Sequence, residues 1–190
     1  KEVEEECFKN VFNPTIKAMS DMGCPFKGVL YFGLMKTSEG IKVIEYNCRL
    51  GDPETQVCFP LLESDLIDIM NACIDGNLKD VEVKNSNKAA ACVIAASGGY
   101  PQKYSKGLEI SGLKEAESLE NVNIFHAGTK LIDGKFYTDG GRVLGVGAVG
   151  ETLEAALKRA YEAVSKISFD DMFYRKDIGA KAINTLKEEK

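Results

Sequence analysis

Two extended runs joined by four residues constrain this chain more than any other feature. GVLYFGLMK (28–36) and IKVIEYNCRL (41–50) are rich in β-branched and aromatic residues, and the short link Thr37-Ser38-Glu39-Gly40 between them ends in glycine. Such a pattern predicts a β-hairpin. The second run passes directly into Gly51-Asp52-Pro53-Glu54. Asp52 suits an N-cap there and Pro53 a first helical position, so a short helix is predicted to start at once and to stop or kink near Pro60.

The flanking segments extend this reading. Residues 2–22 are predicted to form one amphipathic helix adjusted at Pro14 and closed by Gly23, with Val3, Cys7, Phe8 and Val11 recurring at helical spacing. Ser64 is predicted to cap a helix whose apolar face is Leu66, Ile69, Met70, Cys73 and Ile74, closed by Gly76. The polar stretch 79–88 suits a domain boundary. Beyond it, 88–97 reads as a buried strand ended by Gly98-Gly99-Tyr100-Pro101, and Asp133-Gly134 joins two short strands, 130–132 and 135–138. Residues 142–149 form another strand. A helix follows over 151–167 with Leu153, Ala156, Leu157, Ala160 and Val164 on one face, then a last helix over 177–187, capped by Asp177. No internal repeat is present. The expectation is an α+β chain of two domains, 1–80 and 86–190.

Charge and composition exclude several function classes. The net charge is −5, from 24 basic and 29 acidic residues, and the lysines are scattered, which argues against a nucleic-acid surface. No apolar run reaches membrane-spanning length, and residues 1–6 are too charged for a signal peptide. The six cysteines form no C-x-x-C pair, so buried free thiols in a reducing cytoplasm are expected. The abrupt helical opening without methionine reads as a piece of a longer protein.

The chemistry is concentrated in VIEYNCRLGDPE (43–54). Alternation along a strand puts Ile44, Tyr46, Cys48 and Leu50 on one face and Val43, Glu45, Asn47 and Arg49 on the other. Glu45 and Asn47 can supply two oxygens to magnesium, which usually takes one or two side chains plus waters and phosphates. Arg49 can hold a phosphate or carboxylate through a bidentate fork, and an Asp52-capped helix start can face an anion. A surface strand whose polar groups merely face water is the plain alternative. Glu-x-Asn alone favours that alternative, whereas Glu-x-Asn-x-Arg running into Gly-Asp-Pro-Glu is far more specific.

These motifs carry a resemblance. GVLYFGLM, IKVIEYNCRLGDPETQV and PLLESDL, followed in order by SGGYP, KGLEISG, FHAGT, GGRVLGV and YRKDIG, resemble the phosphoribosylamine–glycine ligases (glycinamide ribonucleotide synthetases) of the ATP-grasp superfamily. The resemblance covers nearly everything from Pro25 onward. It implies the C-terminal half of an ATP-grasp domain followed by a small strand-rich α+β domain. It also implies an ATP-dependent ligase of de novo purine synthesis that joins glycine to 5-phosphoribosylamine through a glycyl phosphate, with Mg2+ or Mn2+ as cofactor. Glu45 and Asn47 resemble the family's metal ligands and, with Arg49, its nucleotide-binding residues. Arg49 would steady the moving phosphoryl group, and Gly51, Asp52 and Glu54 would line the glycine and amine side. Gly140, Gly141 and Arg142 are the best substrate candidates of the second domain, with Arg142 reaching the ribose phosphate, although a plain turn explains the two glycines equally well.

Arg175, Lys176 and Asp177 are weaker candidates, and His126 reads as structural. The preceding strand carries no Asp or Glu, so weak metal binding without nucleotide is expected. The family's glycine-rich phosphate loop and nucleotide-clamping lysine are not among these motifs, and the family's N-terminal part is expected as a partner, so the chain alone is expected to be inactive. Two other readings stay open: a different ATP-grasp carboxylate–amine ligase, and a non-catalytic domain of this fold used for assembly.

Overall fold

The computed structural model describes residues 2–188, with side chains to 186. By its contacts the chain divides into two compact units. One comprises Lys1–Gly51 and Ser64–Val83, the other Asp52–Glu63 and Lys84–Lys190.

The first unit opens with helices α1 (Glu2–Cys7) and α2 (Asn13–Asp21), joined without a break by a π-helical turn, Phe8–Phe12. Proline at 14 has no N–H, and its ring crowds the carbonyl four residues earlier. The helix answers one turn before the proline, where Asn13 N–H donates to the Phe8 carbonyl in the wider π pattern. Cys7 and Val11 are buried, whereas Phe8 and Val3 are exposed, so the apolar stripe is narrower than expected. Gly23 closes the helix at φ +76°, the left-handed conformation that glycine tolerates.

The hairpin follows as β1 (Tyr31–Thr37) and β2 (Gly40–Asn47), paired antiparallel around Ser38 and Glu39. A β-bulge alters its faces. Gly33 pairs with Glu45 but Leu34 pairs with Val43, which leaves Ile44 as the extra residue. Val43 therefore joins Tyr46 and Cys48 around a cavity of about 530 Å3 shared with Val11 and Pro14, while Ile44 is 62% exposed. The predicted faces, with Ile44 packed and Val43 beside Glu45, are corrected by that one-residue shift. Phe12, Phe32 and Tyr46 form a chain of aromatic contacts, with ring centres 4.6 and 5.2 Å apart, that ties hairpin to helix.

The chain next leaves this unit for Asp52–Glu63, which carries the single-turn helix α3 (Thr55–Cys58) and a 3-10 turn, Phe59–Leu61, that includes Pro60. It returns for α4 (Leu66–Asp75). Asp65, not Ser64, caps α4: the Asp65 Oδ1 accepts from Ile67 N at 2.7 Å, while the Ser64 hydroxyl donates to the Glu82 carbonyl. Gly76 ends the helix as expected. The apolar face is only partly covered, since Leu66, Ile69 and Cys73 are half-buried and Ile74 is 64% exposed.

The second unit is built on a four-stranded antiparallel sheet. Its central strands are β3 (Ala89–Ser97) and β7 (Arg142–Gly150), flanked by β4 (Val122–His126) and β8 (Met172–Phe173) in the order β4-β7-β3-β8. Between them in sequence lie helix α5 (Leu113–Glu117) and the hairpin β5 (Thr129–Ile132) and β6 (Lys135–Thr138). Asp133 and Gly134 both have positive φ, as a tight two-residue turn requires. Helix α6 (Leu153–Val164), capped by the Thr152 hydroxyl, covers the sheet through Ala156, Leu157, Ala160 and Val164. The core beneath is Val93, Ala95, Val143, Leu144 and Val146. The last helix, α7, is Ala180–Glu188. Asp177 lies three residues before its start, where its backbone carbonyl accepts from Ala180 N–H and its carboxylate is paired with Arg175.

Candidate active site

The first group of site candidates lies on β2. Glu45 and Asn47 are two residues apart on the same side of the bulge, so they share a face. Asn47 Nδ2 donates to Glu45 Oε1 at 3.1 Å, so the carboxylate and the amide side chain lie side by side on an open surface. Gly33 makes room for them. A Cβ at Gly33 would lie 2.8 Å from Glu45 Cγ, so the acidic side chain crosses β1 only because its partner there is glycine. Both donors are hard oxygens, the type that Mg2+ or Mn2+ prefers. No group of three or more His, Cys, Asp or Glu forms a ready-made metal cluster among the described residues. The donor set therefore fits a cation that takes its remaining oxygens from water and phosphate.

Arg49 departs from the predicted row. β2 ends at Asn47, and the Arg49 Nη1 donates to the Leu50 carbonyl at 2.8 Å. The expectation that strand alternation continues to Leu50 is thus corrected. Gly51 is buried.

Asp52 also behaves differently from a helix cap. The Asp52–Pro53 bond is cis, residues 52–54 form a turn, and α3 starts at Thr55 with Glu54 in the cap position and no side-chain cap bond. Asp52 lies in the second unit, where its carboxylate has two partners. Gln56 Nε2 donates to Oδ1 at 2.8 Å, and Arg142 Nη2 donates to Oδ2 at 3.0 Å. Arg142 Nη1 also reaches the Asp52 carbonyl at 2.9 Å. Asp52 is therefore not the expected cap of α3. A guanidinium clasp takes the place of that cap. Glu54 is half-buried, and its carbonyl accepts from Val57 and Cys58.

Gln56 was not anticipated by sequence reasoning. Its Oε1 is buried without a hydrogen-bond partner among the described residues, a cost of about 1–3 kcal/mol. Its position four residues after Asp52 was the available signal.

Gly140, Gly141 and Arg142 lie where β7 begins. A second bulge, between Ala95 and Ala96, pairs Ala95 with Leu144 and Ala96 with Arg142. Val143 and Leu144 are both fully buried, and Arg142 turns toward Asp52. Packing alone requires both glycines. A Cβ at Gly140 would lie 2.8 Å from Gly128 Cα, and one at Gly141 would collide with the Tyr100 ring. Ser97 fixes the turn, with its hydroxyl donating to the Gly140 carbonyl and its N–H to the Gly141 carbonyl. Nearby, burial and then the Asp52 carboxylate push the Cys92 thiol up to about 12, so it stays protonated at neutral pH.

Arg175, Asp177 and His126 have local partners. Arg175 forms a two-pronged pair with Asp177 that raises the guanidinium and lowers the carboxyl. His126 Nδ1 is 2.9 Å from the Thr129 hydroxyl, and its ring stacks on Phe136, a structural placement. All six cysteines are free, but only Cys7 is buried while Cys24, Cys48 and Cys58 are exposed, which corrects the expected burial. No helix among the described residues is long and apolar enough to cross a membrane.

Comparison with known proteins gives this geometry a family. Residues 1–55 match the phosphoribosylglycinamide synthetase ATP-grasp (A) domain, and residues 90–181 match the phosphoribosylglycinamide synthetase C domain. The chain belongs to the phosphoribosylglycinamide synthetase family. A phosphoribosylamine–glycine ligase from Synechocystis is 49% identical over 95% of the chain and 43% of that protein. A bifunctional purine biosynthetic protein from Dictyostelium discoideum is 48% identical over 98% of the chain and 24% of that protein. The crystal structure of a phosphoribosylamine–glycine ligase from Thermotoga maritima superposes with a TM-score of 0.78 at 36% identity, covering 93% of the chain and 42% of that protein. The fold is therefore α+β and part of the ATP-grasp fold. The chain spans less than half the length of each of these relatives.

Proposed function

We propose that this chain carries the metal- and phosphate-handling part of an ATP-dependent phosphoribosylamine–glycine ligase. The observation that carries the proposal is the Glu45–Asn47 pair, two side chains with oxygen donors on one face of a strand over a glycine. These two residues would hold Mg2+ or Mn2+. When bound, the cation neutralises phosphate oxygens of ATP. Residues 1–80 would complete an ATP-grasp domain, and residues 86–190 would serve as the C-terminal domain of the synthetase.

In the reaction, the γ-phosphate of ATP passes to the glycine carboxylate, and the amine of 5-phosphoribosylamine attacks the glycyl phosphate and displaces phosphate. Positioning and charge neutralisation lower the barrier of such transfers. Arg49 would meet the moving phosphoryl group after releasing the Leu50 carbonyl. Gly51 and Glu54 would line the glycine and amine side. Asp52 would act by holding Arg142. A guanidinium has five N–H donors, and two are spent on Asp52. The other three, without a partner among the described residues, are left for the ribose phosphate, and the packed turn at Gly140 and Gly141 would fix where Arg142 leaves the sheet.

The test is Glu45→Ala in a full-length ligase carrying this chain, followed by ADP release with glycine and phosphoribosylamine. The expected result is a fall in kcat of roughly 100-fold or more with the fold retained, the scale of losing one preorganised electrostatic contact. Intact activity would overturn the proposal in favour of a non-catalytic, assembly-type domain. The 190 residues alone are expected to show no turnover.

A further inference from the structure

We propose that Gln56 is a positioning residue for substrate phosphate, acting through Asp52 on Arg142. This rests on the reading of Arg142 as the phosphate-binding group. The three side chains form a clasp within the second unit. Gln56 Nε2 holds one carboxylate oxygen of Asp52 at 2.8 Å, and the Arg142 guanidinium takes the other oxygen at 3.0 Å and the Asp52 carbonyl at 2.9 Å. With Oδ1 held, the carboxylate cannot turn about its last bond without breaking a hydrogen bond, so Oδ2 stays aimed at the guanidinium. The guanidinium in turn is gripped along one edge by two acceptors of a single residue. It is held in orientation while its remaining donors have no partner among the described residues, the preorganisation that strengthens anion binding.

The amide of Gln56 is otherwise difficult to explain. Its Oε1 is buried and accepts no hydrogen bond among the described residues, so a methionine of similar length would fill the same space without that penalty. What methionine cannot do is donate to Asp52. The Arg142–Asp52 pair is itself partly exposed, with side chains 39% and 44% accessible, so its contribution to stability is small and its effect is on orientation.

The experiment uses the full-length ligase carrying this chain and compares wild type, Gln56→Met, Arg142→Ala and the double variant. Arg142→Ala is expected to raise KM for phosphoribosylamine tenfold or more. Gln56→Met is expected to raise the same KM three- to tenfold, leave kcat and the KM values for glycine and ATP within twofold, and leave Tm undiminished. In the Arg142→Ala background the Gln56 substitution is expected to add nothing. If Arg142→Ala leaves that KM unchanged, the reading of Arg142 fails. If Arg142→Ala raises it but Gln56→Met does not, or the two effects simply add, the role of Gln56 fails while that of Arg142 stands. Gln56→Asn, whose amide is one methylene too short to reach Oδ1, is read the same way should Gln56→Met not fold.

Discussion

One carboxylate in the second unit, that of Asp52, binds Gln56 and Arg142 and also acts on a neighbouring thiol. Cys92 is mostly removed from water, and its thiolate would face that negative charge, so its pKa rises from 9.0 to about 12. The consequence for stability has a definite sign. A thiol whose folded value is raised keeps its contribution in full below the unfolded value and loses it as pH climbs toward the folded one, because the unfolded chain releases the proton first. Above pH 9 the folded state should lose up to about 1.4 kcal/mol per pH unit through this group. Urea unfolding of wild type and Cys92→Ala between pH 8 and 10 should therefore give a steeper alkaline decline for wild type, and parallel declines would remove Cys92 from the account. Residue identity made part of this region legible in advance. Glu45 and Asn47 share a face as alternation predicts, because both lie beyond the bulge. Arg49 does not continue the row because the strand ends two residues earlier. For Gln56, only its place four residues after Asp52 hints at the hydrogen bond between them.

Elements were more legible than their faces. Both hairpins, the β3 and β7 strands and α6 follow from turn residues and periodicity. The two bulges do not, since an extra residue in a strand leaves no mark in an alternating pattern until the pairing is known. Each bulge adjoins candidate chemistry, one before Glu45 and one after Arg142, and the first reverses which neighbours pack and which stay accessible. Local competition between adjacent capping residues was equally hard to settle. Ser64 and Asp65 can both cap α4, and it is Asp65 that accepts from Ile67 N, while the Ser64 hydroxyl donates to the Glu82 carbonyl. Asp65→Ala should therefore destabilise the first unit by about 1 kcal/mol and Ser64→Ala by less, as the loss of an N-cap usually costs. Denaturation midpoints followed by helical circular dichroism would check the order, and a larger loss for Ser64→Ala would reverse the assignment.

At the scale of the whole molecule, the two units hold themselves together with very different amounts of core. In the second, Val93, Val143, Leu144, Val146 and Val164 are fully buried, each adding about 1.5–3 kcal/mol of burial, and β3 and β7 each have a strand on both sides. Among the described residues of the first unit, burial is limited to Cys7, Val11, Gly51 and Ala72, and β1 and β2 pair only with each other. A two-stranded ribbon with so little beneath it is marginal on its own. Opening free energies should follow this imbalance, because amide protection rises with buried apolar contact and with hydrogen bonds shielded from water. Native-state hydrogen exchange on this chain is therefore expected to leave the amides of β3 and β7 protected longest, with those of β1 and β2 exchanging at least tenfold faster. The Asn47 and Glu45 amides would be among the fast ones, placing the oxygen donors on the softer of the two units. A cation with phosphate bound to those donors would then slow β2 exchange by mass action, while β7 would change little. Equal protection of the two sheets in the free chain would contradict the imbalance read from burial.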